Sequence, residues 1–176
     1  MDKSEKNLET PDWLNSPDFQ KQKIIKEIDR LHRASTRGLW ALSLFLLVSL
    51  FAWWGFSILP DPDAVTAVLG KAPSSRLVSI VLIIYTFSAI TLSLARMTSG
   101  IEHRSSFSHV GFLTAFFLFY FFDRALYDNY WAVFGAGITI LGVESYRIWS
   151  FCSEGVVKNK GNLEYITRTG RMPPED

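Results

Sequence analysis

Residues 38–59 read GLWALSLFLLVSLFAWWGFSIL, a stretch of 22 residues without a charged side chain. A second uncharged stretch, LVSIVLIIYTFSAITLSLA, covers residues 77–95 and is followed by Arg96. An α-helix rises about 1.5 Å per residue, so each stretch is long enough to cross a hydrocarbon layer of roughly 30 Å. These two stretches predict transmembrane helices, and they decide that the chain is a membrane protein.

Two further apolar segments follow in the second half of the chain. Residues 107–123 are rich in phenylalanine, and residues 130–151 are apolar except for Glu144 and Arg147. The predicted fold is therefore an all-α integral membrane protein with a bundle of four transmembrane helices in residues 38–151. The four helices are expected at about 38–59, 77–96, 107–123 and 130–151.

The N-terminal segment, residues 1–37, is polar and carries eight basic and seven acidic side chains. Ser16 and Pro17 suit a helix start, and Ile24, Ile28 and Leu31 then recur at helical spacing. This pattern predicts an amphipathic helix at about 17–35, which lies on lipid headgroups or packs on a partner protein. Residues 152–176 are predicted to be a polar cytoplasmic tail.

The distribution of Lys and Arg predicts the orientation. Fifteen of the 18 basic residues fall in the two termini and in the loop after the second segment, and three fall in the other loops. Cytoplasmic segments carry the excess of positive charge. We therefore expect both termini in the cytoplasm and a multi-pass protein, most naturally of a bacterial inner membrane.

Composition excludes several classes of function. The net charge is +1, so no strong positive field indicates binding to nucleic acid. Cys152 is the single cysteine, which excludes an intramolecular disulfide and a cysteine-rich metal site. The sequence has no recognisable nucleophile–base pair, metal-ligand spacing or phosphate-binding loop. We therefore expect no catalytic residues, no metal, no cofactor and no enzymatic activity.

Glu144 and Arg147 are charges inside an apolar segment. Such a side chain costs roughly 2.5–3.5 kcal/mol near the centre of a bilayer, so it needs a partner or a role. Arg96, at the inner end of the second segment, lies at a similar depth. The sequence predicts an ion pair between Arg96 and Glu144, with Arg147 reaching the interface; the alternatives are a proton or ion site and a contact with a headgroup.

Two other groups of residues are candidates for function. Arg104 and His109 lie at the loop before the third segment and are candidates for a quinone site. Small and hydroxyl residues form one face on the second and fourth segments, where they allow close helix packing. The residues of this small-residue face are Ser88, Thr91, Ala95, Gly135, Thr139 and Gly142. They pack inside one bundle or, alternatively, meet between subunits and line a pore.

Three functions remain open on these observations. The first is an accessory or anchoring subunit of a membrane complex, whose N-terminal helix binds a soluble partner. The second is a homo-oligomeric ion-permeation or membrane-disrupting protein, with the second and fourth segments at the pathway. The third is a quinone-interacting redox subunit. In all three, the lipid bilayer is the immediate partner.

Overall fold

The computed structural model describes residues 16–98 and 107–171. These residues form helices and no strand, so the prediction of an all-α protein is confirmed. The helices are α1 (Pro17–Ser35), α2 (Arg37–Trp53), α3 (Pro62–Leu69), α4 (Ser75–Thr98), α5 (Phe107–Phe122) and α6 (Leu126–Thr169).

Two helical stretches are long and apolar enough to cross a membrane. They are Pro17–Trp53, in which α1 and α2 follow one another almost directly, and Ser75–Arg96; an 18-residue window within each has a mean hydropathy of 1.5 and 2.3, respectively. α5 is a shorter apolar helix of 16 residues, and α6 does not meet the same criterion. Length and composition therefore support two membrane-crossing helices, which is fewer than the four predicted.

The chain divides into two compact units. We call residues 35–150 the bundle unit, and we call residues 1–34 together with 151–176 the helix-pair unit. α6 contributes to both, because it continues to Thr169 through most of the segment predicted as a polar tail.

The helix-pair unit joins α1 to the last part of α6. Its close contact is between Leu31 and Gly155, where an added Cβ would come within 2.9 Å of Leu31 Cδ1. Cys152, Val156 and Ile166 are buried on the α6 side. The C-terminal part of α6 therefore covers apolar surface of the amphipathic helix α1, which the sequence had assigned to headgroups or to a partner protein.

Local sequence explains where the helices of the bundle unit begin and end. Gly55 and Phe56 have φ values of +68° and +46°, a conformation that ends α2. Asp61 then caps α3, because its carboxylate accepts a hydrogen bond from the Asp63 N–H at 2.9 Å and Pro62 occupies the first turn. This short helix was not predicted.

The turn between α5 and α6 also stabilises α4. Arg124 has a φ of +57°, which lets the chain reverse within three residues. Asp123, beside it, accepts a hydrogen bond from the Ser75 N–H at 2.6 Å. A helix start has backbone N–H groups without helical partners, so this distant carboxylate satisfies one of them.

α5 lies at the centre of the bundle unit, in contact with α2, α3 and α4. One of its faces is buried and the other, with Phe112 and Phe119, is exposed. Phe45 of α2 stacks on Phe117 at a centroid distance of 6.2 Å, and it leaves no room for a side chain at Gly137 of α6. Other fully buried side chains of this core are Leu113, Tyr120, Val133 and Leu141.

Candidate functional site: a buried polar cluster

Five polar side chains from three helices of the bundle unit form what we call the buried polar cluster. They are Tyr85 and Ser93 of α4, His109 of α5, and Glu144 and Arg147 of α6. Residues three, four or eight positions apart lie on the same side of a helix, so α4 and α6 each direct two members into the cluster. His109 lies in the first turn of α5.

A series of polar contacts runs through His109. The Tyr85 hydroxyl lies 2.6 Å from His109 Nδ1, and His109 Nε2 lies 3.3 Å from Glu144 Oε1. Both ring nitrogens therefore have partners on other helices. In the tautomer with its proton on Nε2, His109 can donate to Glu144 and accept from Tyr85. This tautomer satisfies both contacts of the imidazole.

Glu144 is the most deeply buried charged residue of the cluster, with 1% of its surface exposed. In addition to His109, the Ser93 hydroxyl donates to its Oε1 atom at 3.4 Å. A buried carboxylate is stable only when hydrogen bonds or positive charges replace its hydration. His109 and Ser93 both contact Oε1 and give part of the reason why this carboxylate is tolerated in an apolar segment; its Oε2 atom accepts no hydrogen bond from the described residues.

The arrangement can bind and relay a proton. The imidazole has two states, because a proton taken up at one nitrogen can leave from the other. Tyr85 and Glu144 occupy the two nitrogens, so the imidazole links a hydroxyl group of α4 to a carboxylate of α6.

Arg147 lies one helical turn after Glu144 and is also buried, with 6% of its surface exposed. Its terminal nitrogens Nη1 and Nη2 have no hydrogen-bond partner among the described residues. Arg96 and Glu144 are both close enough to act on it electrostatically. A buried guanidinium without hydrogen bonds is unusual, because all five of its N–H groups normally find acceptors.

The structure brings together some of the predicted site residues in a different combination. His109, a predicted quinone ligand, pairs with Glu144 of the predicted intramembrane charge site. The pairing of Arg96 with Glu144 stays a prediction; Arg96 is exposed in the last turn of α4. Arg104 lies outside the described residues.

The small-residue face points outward from the bundle unit. Ser88, Thr91 and Ala95 on α4 and Gly135 and Thr139 on α6 are exposed. A Cβ added at Gly142 would meet no atom within 4 Å. Five of the six residues are therefore exposed on the surface of the bundle unit, and Gly142 is half-buried. Contact with a second copy of the chain stays a prediction.

Tyr85 and Ser93 were missed as site residues. The available signal was their spacing of eight residues on an otherwise apolar helix, which places two hydroxyl groups on one side of it. Thr86 gives the same signal, yet its hydroxyl bonds to the Leu82 carbonyl in its own helix. The Ser79 hydroxyl bonds to the Ser75 carbonyl and also to the Tyr120 hydroxyl of α5, away from the cluster. Only the packing of α5 and α6 against α4 distinguishes the hydroxyl groups that join the cluster from those that do not.

A second polar group lies near the start of α6, and we call it the exposed ion triplet. Arg124 Nη2 lies 2.5 Å from Asp63 Oδ2 and 4.0 Å from Asp61 Oδ1, and all three side chains are largely exposed. Arg124 also lines a pocket of about 260 Å³ with Trp53, Tyr127 and other aromatic residues.

Within residues 16–98 and 107–171, no group of three or more His, Cys, Asp and Glu side chains has the arrangement of a metal site. Comparison with protein-family models, with curated proteins and with solved structures finds no match to this chain.

Proposed function

We propose that this chain is a four-span integral membrane protein, without catalytic activity of its own, that serves as an accessory or anchoring subunit of a membrane complex. Its spans are α2, α4, α5 and the first part of α6, with both termini in the cytoplasm of a bacterial cell. The lipid bilayer and the other subunits of the complex are its partners.

The observation that carries the membrane location is the outward-facing apolar surface of α4. The most apolar 18-residue window of Ser75–Arg96 has a mean hydropathy of 2.3, yet only 22% of that window is buried. Ile83 and Phe87 are 68% and 73% exposed. An apolar helix in the core of a soluble protein would be largely covered, whereas lipid supplies the cover for a membrane helix.

The subunit role is supported by the helix-pair unit. Its apolar residues do not all face inward, because Ile25 of α1 is 47% exposed and Val157 of α6 is 69% exposed. The charged residues around them pair locally, as in the exposed Arg168–Glu164 contact at 2.6 Å. A partner protein that binds this unit in the aqueous phase would cover these apolar side chains.

The test is the mass of the complex extracted from native membranes in mild detergent. The proposal expects a chain that alkaline carbonate does not release from membranes and a discrete complex containing other proteins. Ile25→Glu should release those proteins while the chain stays in the membrane. Lys26→Glu, next to it on α1, is the matched control and should leave the complex intact. A mass equal to one or several copies of the 20.0 kDa chain would contradict the subunit role.

A homo-oligomeric permeation protein is the second candidate, and the outward small-residue face favours it. Small residues let helices of neighbouring subunits approach closely. The Thr139 hydroxyl, however, bonds to the Gly135 carbonyl at 2.8 Å and so has less capacity to bind an ion. Gly135→Leu should break the oligomer, and Glu144→Gln should change ion flux in liposomes; wild-type liposomes without flux would exclude this candidate.

The Tyr85–His109–Glu144 chain favours a third candidate, a quinone-interacting redox subunit. Reduction of a quinone consumes protons, and in this candidate the three contacting side chains deliver them from a buried site. His109→Gln should then slow quinone reduction in membranes that contain the native complex. Unchanged rates with His109→Gln would count against this candidate.

A further inference from the structure

A pocket of about 260 Å³ lies at the end of the bundle unit where α2 and α5 end and α6 begins. We call it the aromatic pocket, and all of its lining residues belong to the bundle unit. Ligand pockets usually have volumes of about 300–1,000 Å³. A volume just below that range suits a molecule that consists of a single ring with small substituents.

Four aromatic side chains line the aromatic pocket: Trp53 of α2, Phe121 of α5, and Tyr127 and Tyr130 of α6. The Trp53 and Tyr130 rings meet edge to face at a centroid distance of 5.1 Å. The Tyr130 hydroxyl donates to the Ser49 carbonyl at 3.2 Å, which fixes this ring and occupies its proton. Rings held in this way favour a flat apolar ligand, because aromatic rings attract one another in stacked and edge-to-face arrangements.

Arg124 adds hydrogen-bond donors to this apolar wall. It is the charged residue among those that line the pocket, and its Nη2 atom contacts Asp63 at 2.5 Å and Asp61 at 4.0 Å. Its Nε and Nη1 atoms have no acceptor among the described residues. A guanidinium has five N–H donors, so several remain for an oxygen atom of a ligand.

The charges at the pocket favour a neutral ligand. A cation would lie beside the Arg124 guanidinium and be repelled by it. An anion would approach Asp61 and Asp63, and these two carboxylates outnumber the one guanidinium of the exposed ion triplet. A neutral molecule with a carbonyl oxygen avoids both repulsions and still accepts a hydrogen bond from Arg124.

We propose that the aromatic pocket binds a neutral aromatic or quinonoid ring compound, which packs on the aromatic side chains and accepts a hydrogen bond from Arg124 at a ring carbonyl. This site is distinct from the buried polar cluster. His109 and Phe121 lie in the first and last turns of α5, 12 residues or about 18 Å of helix apart. The inference does not depend on the subunit role, so its failure would leave that role standing.

The experiment uses the full chain in mild detergent and two matched ligands. Duroquinone is the probe, and durene has the same methylated ring without the carbonyl oxygens. Native mass spectrometry counts the bound ligands, and a titration gives each Kd. We expect one duroquinone per chain in the wild type and about tenfold weaker binding of durene, because durene cannot accept the hydrogen bond from a charged donor.

Variants separate the donor from the aromatic wall. Arg124→Met removes the donors, so it should weaken duroquinone binding about tenfold and leave durene binding unchanged. Both proteins face the same micelles, so this comparison cancels the partition of each ligand into detergent. Trp53→Leu should weaken the binding of both ligands. The controls are Trp54→Leu, at an exposed tryptophan that does not line the pocket, and Arg168→Met, at an exposed arginine paired with Glu164.

Three measurements on the wild type alone can overturn the proposal, so it stays testable where a variant does not fold. The first is equal affinity for duroquinone and durene. The second is tighter binding of the anion durenecarboxylate or of the cation phenyltrimethylammonium than of duroquinone. The third is the absence of bound duroquinone at concentrations that saturate the micelles. With a folded Arg124→Met variant, undiminished duroquinone binding would also contradict it.

Discussion

The bundle unit contains two polar groups of opposite character. In the exposed ion triplet, Arg124 pairs with Asp61 and Asp63 at side-chain exposures between 64% and 78%. In the buried polar cluster, Glu144 contacts His109 at 3.3 Å and Ser93 at 3.4 Å, and its side chain is 1% exposed. The contact between Arg124 and Asp63 is shorter, at 2.5 Å, yet we expect it to contribute less to stability. Water can replace the partners of the exposed Arg124, whereas it cannot replace those of the buried Glu144.

The largest effect should come from removal of the buried carboxylate. Glu144→Ala leaves Arg147 and His109 buried without their negative partner, and loss of one member of a buried pair costs about 3–5 kcal/mol. The free energy of unfolding in bicelles or mixed micelles measures it. A loss below about 1 kcal/mol would mean that water reaches the cluster and that it resembles the exposed triplet.

A smaller loss of stability should follow from removal of the Tyr85 hydroxyl, which contacts His109. Tyr85→Phe removes the hydroxyl 2.6 Å from His109 Nδ1 and leaves a buried ring nitrogen without its partner. Such a loss costs about 1–3 kcal/mol. Tyr127→Phe, at a tyrosine that is 87% exposed, is the matched control and should be neutral. Equal stability of the two variants would show that the Tyr85 hydroxyl contributes nothing to the cluster.

The smallest effect is expected in the exposed triplet. Asp63→Asn removes the nearest carboxylate of Arg124 and should cost less than about 1 kcal/mol, since exposed ion pairs contribute little. The effect should decline further as salt is raised, because exposed charges are screened. Unfolding of Asp63→Asn and Glu144→Ala at low and high salt compares the two groups directly. If Asp63→Asn lowered the free energy of unfolding by more than Glu144→Ala does, the comparison would be reversed.

Two neighbouring glycines of α6 show how far sequence reasoning reaches. Gly135 and Gly137 belong to the same apolar run, and the sequence assigned Gly135 to a packing face. In the structure a Cβ at Gly135 meets no atom within 4 Å, whereas one at Gly137 collides with the ring of Phe45. Either glycine gives its helix a position without a side chain. Only the neighbouring helix decides at which of the two glycines the helices approach closely.

The buried polar cluster was predictable only in part for the same reason. A charge inside an apolar segment is visible in the sequence, so Glu144 and Arg147 were identified as candidates. The partner of Glu144 was expected to be Arg96, on the argument of equal depth. Depth along a helix does not specify the direction in which a side chain points, so the contact of Glu144 with His109 of α5 was not predicted, while the pairing with Arg96 stays a prediction.

By itself, the sequence determined that the chain is helical, where its apolar stretches lie and that α1 covers residues 17–35, because helical periodicity and length are local properties. The tertiary structure alone decided that α6 continues to Thr169 and pairs with α1, that Tyr85 and Ser93 join the cluster, and that the small-residue face points outward. Each of these depends on which surfaces of distant helices meet, and that information is not contained in any one segment.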